Sequence, residues 1–225
     1  MCSLANERLG APNDELVRTG WGDALCMDGG RMGLKRWLMR GRSRKVFGIG
    51  LIKTGTTSLG KALELLGYDH TNENREYLLR CTQERHLRPV LHWVDNHDSF
   101  EDWPWPLLYE ELDRHYPNSR FILTLRLDEE RWLKSVKRHS EWVGPSLGRR
   151  LFFGHDTPDG HEGAYLDAYR RHVDNIRQHF AGTGRLLEVC WERGDGWREL
   201  ANFLGHPTPK VPFPQLNTAA ARIWK

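Results

Sequence analysis

Short apolar runs alternate along the chain with segments in which apolar residues recur at helical spacing. The runs predict buried strands, and they cover residues 45–51 (KVFGIGL), 90–94 (VLHWV), 121–125 (FILTL) and 186–190 (LLEVC). The helical spacing covers residues 59–66, 107–115, 129–139, 165–180 and 197–204. Strands that alternate with helices predict a three-layer α/β/α fold, in which helices cover both faces of a central parallel sheet.

One edge of such a sheet is the expected ligand site, because ligands of parallel α/β sheets bind outside the carboxyl ends of the strands. This rule places three parts of the chain together. They are the turn 52–58, Asp95 with the acidic and aromatic loop 96–106 that follows it, and Arg126. They are far apart in the sequence, so their convergence would be a property of the fold.

The turn between the first strand and the first helix predicts an anion site. Residues 50–58 (GLIKTGTTS) combine Gly55 and four hydroxyl side chains with the charge of Lys53. The backbone amides of such a turn, and of the helix N-terminus after it, bind anions. The alternative is a polar turn with good helix caps. The packing of hydroxyls, one Lys and one Gly into so few residues disfavours it.

Gly50 and Gly55 have the spacing of the nucleotide-triphosphate motif GxxxxGK[ST], but Thr56 stands where that motif has its Lys. Thr57 occupies the usual magnesium-ligand position, and Asp95 ends an apolar run as a magnesium-holding acid would. A magnesium-dependent small-molecule kinase that uses ATP is therefore one alternative. A nucleotide-binding module without catalysis is another. A donor with one phosphate and one sulfuryl group carries less charge, which amides, hydroxyls and one Lys can neutralise without a metal.

Residues 52–58 (IKTGTTS) resemble the 5′-phosphosulfate-binding loop, PK[ST]GTT, of sulfotransferases that use 3′-phosphoadenosine-5′-phosphosulfate (PAPS). The resemblance extends through an ordered series of motifs over residues 45–217, and it implies a fold like that of the P-loop NTPases. In this family the loop Lys also assists the bridging oxygen as the nucleotide leaves, a role that would fall to Lys53. Ile52 replaces the usual Pro, which affects loop rigidity more than chemistry. The residues implied in phosphosulfate binding are Lys53, Thr54, Gly55, Thr56, Thr57 and Ser58.

A second motif of this family binds the 3′-phosphate through an Arg at a strand end and a Ser on the next helix. Here the strand 121–125 is followed by Arg126, and Ser135 comes nine residues later, one more than in the family's pattern. The planar guanidinium of Arg suits a phosphate, which it binds through two parallel hydrogen bonds. The alternative for Arg126 is a salt bridge at the rim of the site, to Asp128 or Glu129.

Sulfuryl transfer needs a base that takes the proton of the acceptor's hydroxyl or amine. Cytosolic relatives use a His in a TH-x-P-like context, and the matching stretch 101–104 (EDWP) has Asp102 at that place. We predict Asp102 as the base, with Asp98 and His97 as alternatives. Burial can raise the pKa of a carboxyl group enough for this role. The other interpretation of Asp102 is that it caps a helix starting near Pro104.

Aromatic residues near these segments predict an acceptor pocket, with residues 141–160 as a loop that could cover it. The candidates for the pocket are Trp93, Trp103, Trp105, Trp142, Phe152 and Phe153. Burial in the core is the alternative for each of them. Hydroxylated small molecules, amines, lipids and sugars all stay open as acceptors.

Composition excludes several other classes of protein. The chain has 225 residues and a net charge of +3, which is too weakly basic to indicate nucleic-acid binding. No apolar run has the length of a membrane span. His70, His92 and His97 match no zinc pattern, so no metal is expected. The four scattered cysteines predict reduced thiols in a cytoplasmic protein.

The predicted organisation has three parts: a lead-in at residues 1–44, the sulfotransferase-like domain at 45–217 and a tail at 218–225. The lead-in includes most of a basic segment, 31–45 (RMGLKRWLMRGRSRK). This segment fits a solvated helix, or a contact with a membrane surface or a polyanion. The sequence does not indicate an oligomeric state.

Overall fold

The computed structural model describes residues 44–216. Its strands are β1 Val46–Gly48, β2 His70–Thr71, β3 Ser99–Phe100, β4 Arg120–Thr124 and β5 Leu186–Val189. Its helices are α1 Thr56–Leu65, α2 Arg75–Gln83, α3 Leu87–Asp95, α4 Tyr109–His115, α5 Glu129–Val143, α6 Leu147–Phe153, α7 Glu162–His179 and α8 Trp197–Leu204. Two short 3-10 turns are Trp105–Leu107 and Trp191–Arg193. Residues 31–43 of the basic segment and the tail 218–225 lie outside the described residues.

The sheet pairs its strands in parallel, in the order β2-β3-β1-β4-β5. Neighbouring residues of a strand point to opposite faces, so Val46 and Phe47 of β1 enter two different apolar clusters. Residues of α1 and α8 pack in the cluster of Val46, and residues of α2 to α7 pack in the cluster of Phe47. Helices therefore cover both faces of the sheet, and the predicted three-layer α/β/α fold is confirmed.

The expected strand at residues 90–94 is wrong, because these residues belong to α3. Val90 and Val94 are buried and lie about one helical turn apart, whereas His92 between them is exposed. A short apolar run fits a strand or a buried helix equally well. The strand that pairs with β1 on the side away from β4 is β3, which lies in the segment 96–106 that was expected to be a loop.

The segment 141–160 was expected to be a long loop, but it contains α6. The Ser146 side chain accepts a hydrogen bond from the backbone of Arg149 at the start of α6, and Gly154 ends the helix in the left-handed conformation. The Arg149 side chain is buried and donates hydrogen bonds to the carbonyls of Gly144 and Asp156. The segment is thus a packed element rather than an open loop.

The carboxyl ends of four strands meet at one edge of the sheet. There β1 leads into the turn 49–55, and β3 leads into Glu101 and Asp102. At the same edge β4 leads toward Arg126 and β5 toward Trp191. The turn and Arg126, which the sequence analysis placed together, therefore share this edge.

Candidate functional site

The turn between β1 and α1 contains two residues in the left-handed conformation, Lys53 (φ 67°) and Gly55 (φ 100°). A Cβ at position 55 would lie 2.4 Å from Cδ1 of Trp191, whose Nε1 donates a hydrogen bond of 3.1 Å to the Gly55 carbonyl. Position 55 therefore requires glycine. Because α1 begins at the next residue, Thr56, the free amides and the positive dipole end of α1 adjoin the turn.

The hydroxyl of Thr54 stabilises the turn from within. It donates a hydrogen bond of 2.6 Å to the Leu51 carbonyl. It also shares a hydrogen bond of 2.6 Å with Thr124 Oγ1. A Cβ at Gly50 would lie 2.0 Å from the same Thr124 oxygen, so β4 approaches the turn closely. Thr57, by contrast, is exposed on α1. The Thr54 hydroxyl thus connects the turn to the neighbouring strand.

Two more of the predicted hydroxyl ligands also contact the protein. Ser58 Oγ accepts a hydrogen bond of 3.0 Å from the backbone of Leu216. Thr56 is buried at the start of α1, and its hydroxyl lowers the pKa of the Glu101 carboxyl group. In this conformation the hydroxyls shape the turn, and the backbone amides with Lys53 are the groups suited to an anion.

A cavity of about 690 Å³ opens beside the turn. It brings together Lys53, Arg126 and Ser135, which belong to three separate segments. Cations that the sequence analysis missed also line it from α5: Arg131, Lys134 and Arg138. Their spacing of three and four residues places them on one helix face, a signal that was present in the sequence. Within the described part of the chain, the cavity is lined by five cationic side chains and one carboxylate, that of Glu192, so its lining carries a net positive charge.

The Arg126 guanidinium is held by Glu192. Its Nη2 lies 2.8 Å from Glu192 Oε1, and the second carboxylate oxygen accepts a hydrogen bond of 3.1 Å from the backbone of Leu127. Arg126 thus pairs with an acid after β5 rather than with Asp128 or Glu129, the partners considered from the sequence. A phosphate at this place would share Arg126 with Glu192.

Asp102 follows β3 in the left-handed conformation (φ 68°). Its Oδ2 accepts a hydrogen bond of 2.5 Å from Arg75 Nη1, and its Oδ1 accepts one of 2.9 Å from the backbone of Trp103. Burial raises the pKa of the Asp102 carboxyl group, and the positive charges of Arg75 and Lys53 oppose that shift. The 3-10 turn starts after Pro104 without a side-chain cap, so the structure does not support the cap interpretation of Asp102.

The alternative bases, Asp98 and His97, lie at the opposite edge of the sheet. Asp98 precedes β3, and its carbonyl accepts a hydrogen bond of 3.0 Å from the backbone of Val46 at the start of β1. The His97 ring packs on Trp93, and its carbonyl accepts a bond of 2.6 Å from Lys45 Nζ. The structure therefore does not bring Asp98 and His97 to the turn, because they lie at the amino ends of the strands.

Asp95 also lies outside the site, because it ends α3 rather than a strand. Its Oδ1 accepts a hydrogen bond of 2.9 Å from the Tyr116 hydroxyl. Its carbonyl lies 3.4 Å from Nζ of Lys45, which precedes β1. The kinase alternative needs Asp95 beside Thr57, and the structure does not place it there.

Glu101 is a buried acid at the carboxyl end of β3 that the sequence analysis did not select. Its side chain is 2% exposed, and Oε1 accepts a hydrogen bond of 3.3 Å from Asn72 Nδ2. Oε2 is buried and makes no hydrogen bond within residues 44–216. Burial, with the nearby charge of Asp102, raises the pKa of Glu101 to about 7. The sequence contained no signal for this position, because the two residues of β3 are too few to show a strand.

The aromatic candidates separate into different environments. Trp103 and Phe152 pack on each other, with ring centroids 5.5 Å apart, next to the carboxyl end of β3. Trp103, Trp105 and Phe153 are all buried in the core cluster of Phe47, and Phe152 packs against that cluster. Trp142 is 81% exposed. Trp103 and Phe152 are thus the members of the set that lie nearest the candidate base.

The fold and the site define a three-layer α/β domain with a cation-lined cavity at the carboxyl edge of its sheet. The chain matches the sulfotransferase domain family over residues 45–157 and 145–222, and it belongs to this family. It is also similar to the Ava biosynthesis cluster protein M of Aspergillus versicolor. The two are 26% identical in an alignment 224 positions long, which includes 80% of this chain and 83% of that protein. The resemblance to sulfotransferases is confirmed.

Two further findings concern residues 44–216 alone. No helix in this part is both long and apolar enough to cross a membrane. No three or more of its His, Cys, Asp and Glu residues are grouped so that they could hold a metal ion.

Proposed function

We propose that this protein transfers the sulfuryl group of PAPS to a hydroxyl or amine of an acceptor and releases the 3′,5′-bisphosphate PAP. The observation that carries the proposal is that one cavity is lined by both Lys53 and Arg126. PAPS has an anionic group at each end of its ribose, and these two cations, on different strand ends, suit a ligand of that kind.

The site residues fit the two ends of this donor. The turn 52–58 offers amides and Lys53 to the 5′-phosphosulfate. Arg126 and Ser135 offer a guanidinium and a hydroxyl to the 3′-phosphate. The excess of cations in the cavity supports a ligand with several negative charges, and it raises the rate at which such a ligand is captured.

The proposed reaction is an in-line displacement at sulfur. The acceptor oxygen or nitrogen forms a bond to sulfur, and the bond from sulfur to the bridging oxygen breaks. Its electron pair stays on the phosphate of the leaving PAP, where Lys53 neutralises the charge. The acceptor's proton passes to Asp102, whose burial makes it a stronger base than an exposed Asp.

Isothermal titration calorimetry with PAP tests the donor site. Wild-type protein is expected to bind PAP without a metal and to bind it more tightly than ATP with magnesium. Lys53→Ala should weaken PAP binding about tenfold or more, the cost of losing a hydrogen bond from a charged group. The control is Lys61→Ala, whose Nζ on α1 pairs with Glu64 at the surface. A preference for ATP with magnesium would support the kinase alternative instead.

Transfer itself is tested with labelled PAPS and a panel of hydroxylated small molecules, amines, lipids and sugars. Label should move to one of these classes, with release of PAP. If PAP binds but no class accepts the label, the alternative of a nucleotide-binding module without catalysis holds.

The cytoplasmic location that the scattered cysteines predict stays a prediction. Two of these cysteines, Cys81 and Cys190, are free and buried, which supports a reducing compartment.

A further inference from the structure

The Arg and Lys side chains of α5 differ in whether an acid compensates their charge. These side chains are Arg131, Lys134, Lys137 and Arg138. Nε of Arg131 lies 3.0 Å from Oδ2 of Asp128. Nζ of Lys137 lies 3.0 Å from Asp159 and 2.6 Å from Glu162. Lys134 and Arg138 are exposed, and within residues 44–216 neither makes a salt bridge or a hydrogen bond. The structure of this part of the chain thus leaves two cations of α5 uncompensated.

Lys134 and Arg138 lie about one helical turn apart, and both line the cavity beside the turn 52–58, as Ser135 does. Both also border a second cavity, of about 490 Å³. The carboxylates that line this second cavity are those of Glu130, Glu141 and Asp159. They would repel an anion there. The cavity beside the turn, with its net positive lining, is therefore the place where Lys134 and Arg138 can meet an anionic ligand.

Two like charges four residues apart on one helix face repel each other. The pair Lys134 and Arg138 is therefore unfavourable in the empty protein, and an anion bound between the two side chains would remove the repulsion. Arg126, on the same cavity, is in a different state. Its Nη2 is bonded to Glu192, and its Nε is buried and makes no hydrogen bond within the described residues. Much of the charge of Arg126 is already compensated.

We propose that Lys134 and Arg138, together with Ser135, bind the 3′-phosphate of the donor and make the site select nucleotides that carry this phosphate. This inference rests on the proposed function. A terminal phosphate carries up to about two negative charges near neutral pH. The guanidinium of Arg126 is shared with Glu192 and does not balance that charge alone. Two further cations and a hydroxyl supply the charge and the donors that are missing.

The experiment compares the Kd of PAP with that of adenosine 5′-monophosphate (AMP), which lacks the 3′-phosphate, by calorimetry. The ratio of the AMP Kd to the PAP Kd reports the contribution of the 3′-phosphate, because the contacts of the shared adenosine and 5′-phosphate cancel. Lys134→Gln and Arg138→Gln should each lower this ratio about tenfold, the loss of one hydrogen bond from a charged group. The Kd of AMP should change little, because salt screens exposed charges from a distant phosphate.

Lys137→Gln is the matched control. It removes the same charge from the same helix, but Lys137 pairs with Asp159 and Glu162. K137Q should therefore keep the wild-type ratio. Lys134→Arg keeps the positive charge and should keep most of the ratio. K134Q and R138Q should unfold at the wild-type temperature or slightly above it, because each removes a repulsion and breaks no contact within the described residues.

The outcomes separate this inference from the proposed function. If wild-type protein does not bind PAP, the proposed function fails. If it binds PAP and the ratio is unchanged in both K134Q and R138Q, only the role of these two residues is refuted. A ratio that falls in Arg126→Gln but in neither α5 variant would leave the 3′-phosphate to Arg126. An equal fall in K137Q would show that α5 acts through its overall charge, which would refute a direct contact.

Discussion

Two adjacent carboxyl groups follow β3, and they have different surroundings. Asp102 is paired with Arg75 and bonded to the backbone of Trp103. Glu101 has no charged partner in its own hydrogen bonds and is 2% exposed. Neighbouring carboxyl groups with different environments hold protons with different strength. Burial raises the pKa of both carboxyl groups, and the charge of Arg75 opposes that shift at Asp102. The ion pair with Arg75 is what distinguishes Asp102, the predicted base, from Glu101.

The role of Asp102 gives a prediction about turnover. Asp102→Asn removes the proton acceptor but keeps the size of the side chain. We expect kcat to fall about 100-fold or more, the usual contribution of a general base. The Kd of PAP should change little, because the donor contacts come from the turn and from Arg126. Asp174→Asn is the control, since Asp174 is exposed on α7. Unchanged turnover in D102N would remove Asp102 from the mechanism.

The sequence predicted part of this residue-level picture. It placed the turn with Lys53 and Arg126 at one edge, because strand ends are local features, and the family resemblance added Ser135. It also placed Asp95 there, which was wrong because Asp95 ends a helix. It did not predict that hydroxyls of the turn bond to the protein. Their partners are distant in the chain: Thr124 is 70 residues from Thr54, and Leu216 is 158 residues from Ser58. Such contacts depend on how the strands pair, which no local pattern encodes.

At the scale of elements, α1 contains a glycine that helix propensity alone would disfavour. Gly60 lies in the middle of α1, where Gly is about 1 kcal/mol less favourable than Ala. The close approach of His70 and Glu101 explains it, since a Cβ would meet His70 Nε2 at 2.5 Å. Helix propensity and packing therefore make opposite predictions for a substitution here.

We expect Gly60→Ala to destabilise the protein by about 1 kcal/mol or more, because the added methyl overpacks the contact of α1 with His70 and Glu101. Gly163→Ala in α7 is the matched control, since a Cβ there meets nothing within 4 Å. It should leave stability unchanged or raise it by up to about 1 kcal/mol. Urea unfolding of both variants measures the difference. A stabilised G60A protein would show that α1 can move away from the sheet at no cost.

The strand that the sequence did not predict is short. Strand β3 has two residues, which is too few to show the alternation of a strand. The apolar run 90–94 was taken for the missing strand, although the spacing of Val90 and Val94 also fits a helix. Long elements with clear periodicity were predicted correctly, as α7 shows. Clear periodicity, which α7 has and the run 90–94 lacks, decided between helix and strand.

At the scale of the whole molecule, the last described residues return to the first turn. Phe213 packs on Trp191 and Trp197, with ring centroids 4.5 and 5.1 Å apart. The backbone of Leu216 then donates to Ser58, and Leu216 lines the cavity. The candidate site is therefore completed by residues from both ends of the described chain. Its formation depends on the complete sheet rather than on the turn alone.

A buried histidine makes the stability of this sheet depend on pH. His172 of α7 is 5% exposed, and its Nε2 lies 2.8 Å from the carbonyl of Ile49, just after β1. Burial lowers the pKa of His172 to about 4, although the hydrogen bond to Ile49 opposes the shift. Below about pH 6.5 the unfolded chain binds a proton at this His that the folded protein does not bind. The free energy of unfolding therefore falls as the pH falls from about 6.5 to about 4, by about 3 kcal/mol in total.

His172→Gln should remove this dependence, because Gln can donate a hydrogen bond to Ile49 but does not titrate. Urea unfolding at several pH values from about 7.5 to about 4.5 gives the free energy of unfolding of each protein. Glu101 acts in the opposite direction, since its raised pKa stabilises the folded protein as the pH falls below about 7, but it does so equally in both proteins. The difference in the free energy of unfolding between wild type and H172Q thus isolates His172. This difference should shrink by about 2 kcal/mol as the pH falls over this range. The control His92→Gln, at an exposed position, should show no such change. If the free energies of unfolding of wild type and H172Q changed with pH in parallel, His172 in the folded protein would bind a proton as readily as it does in the unfolded chain.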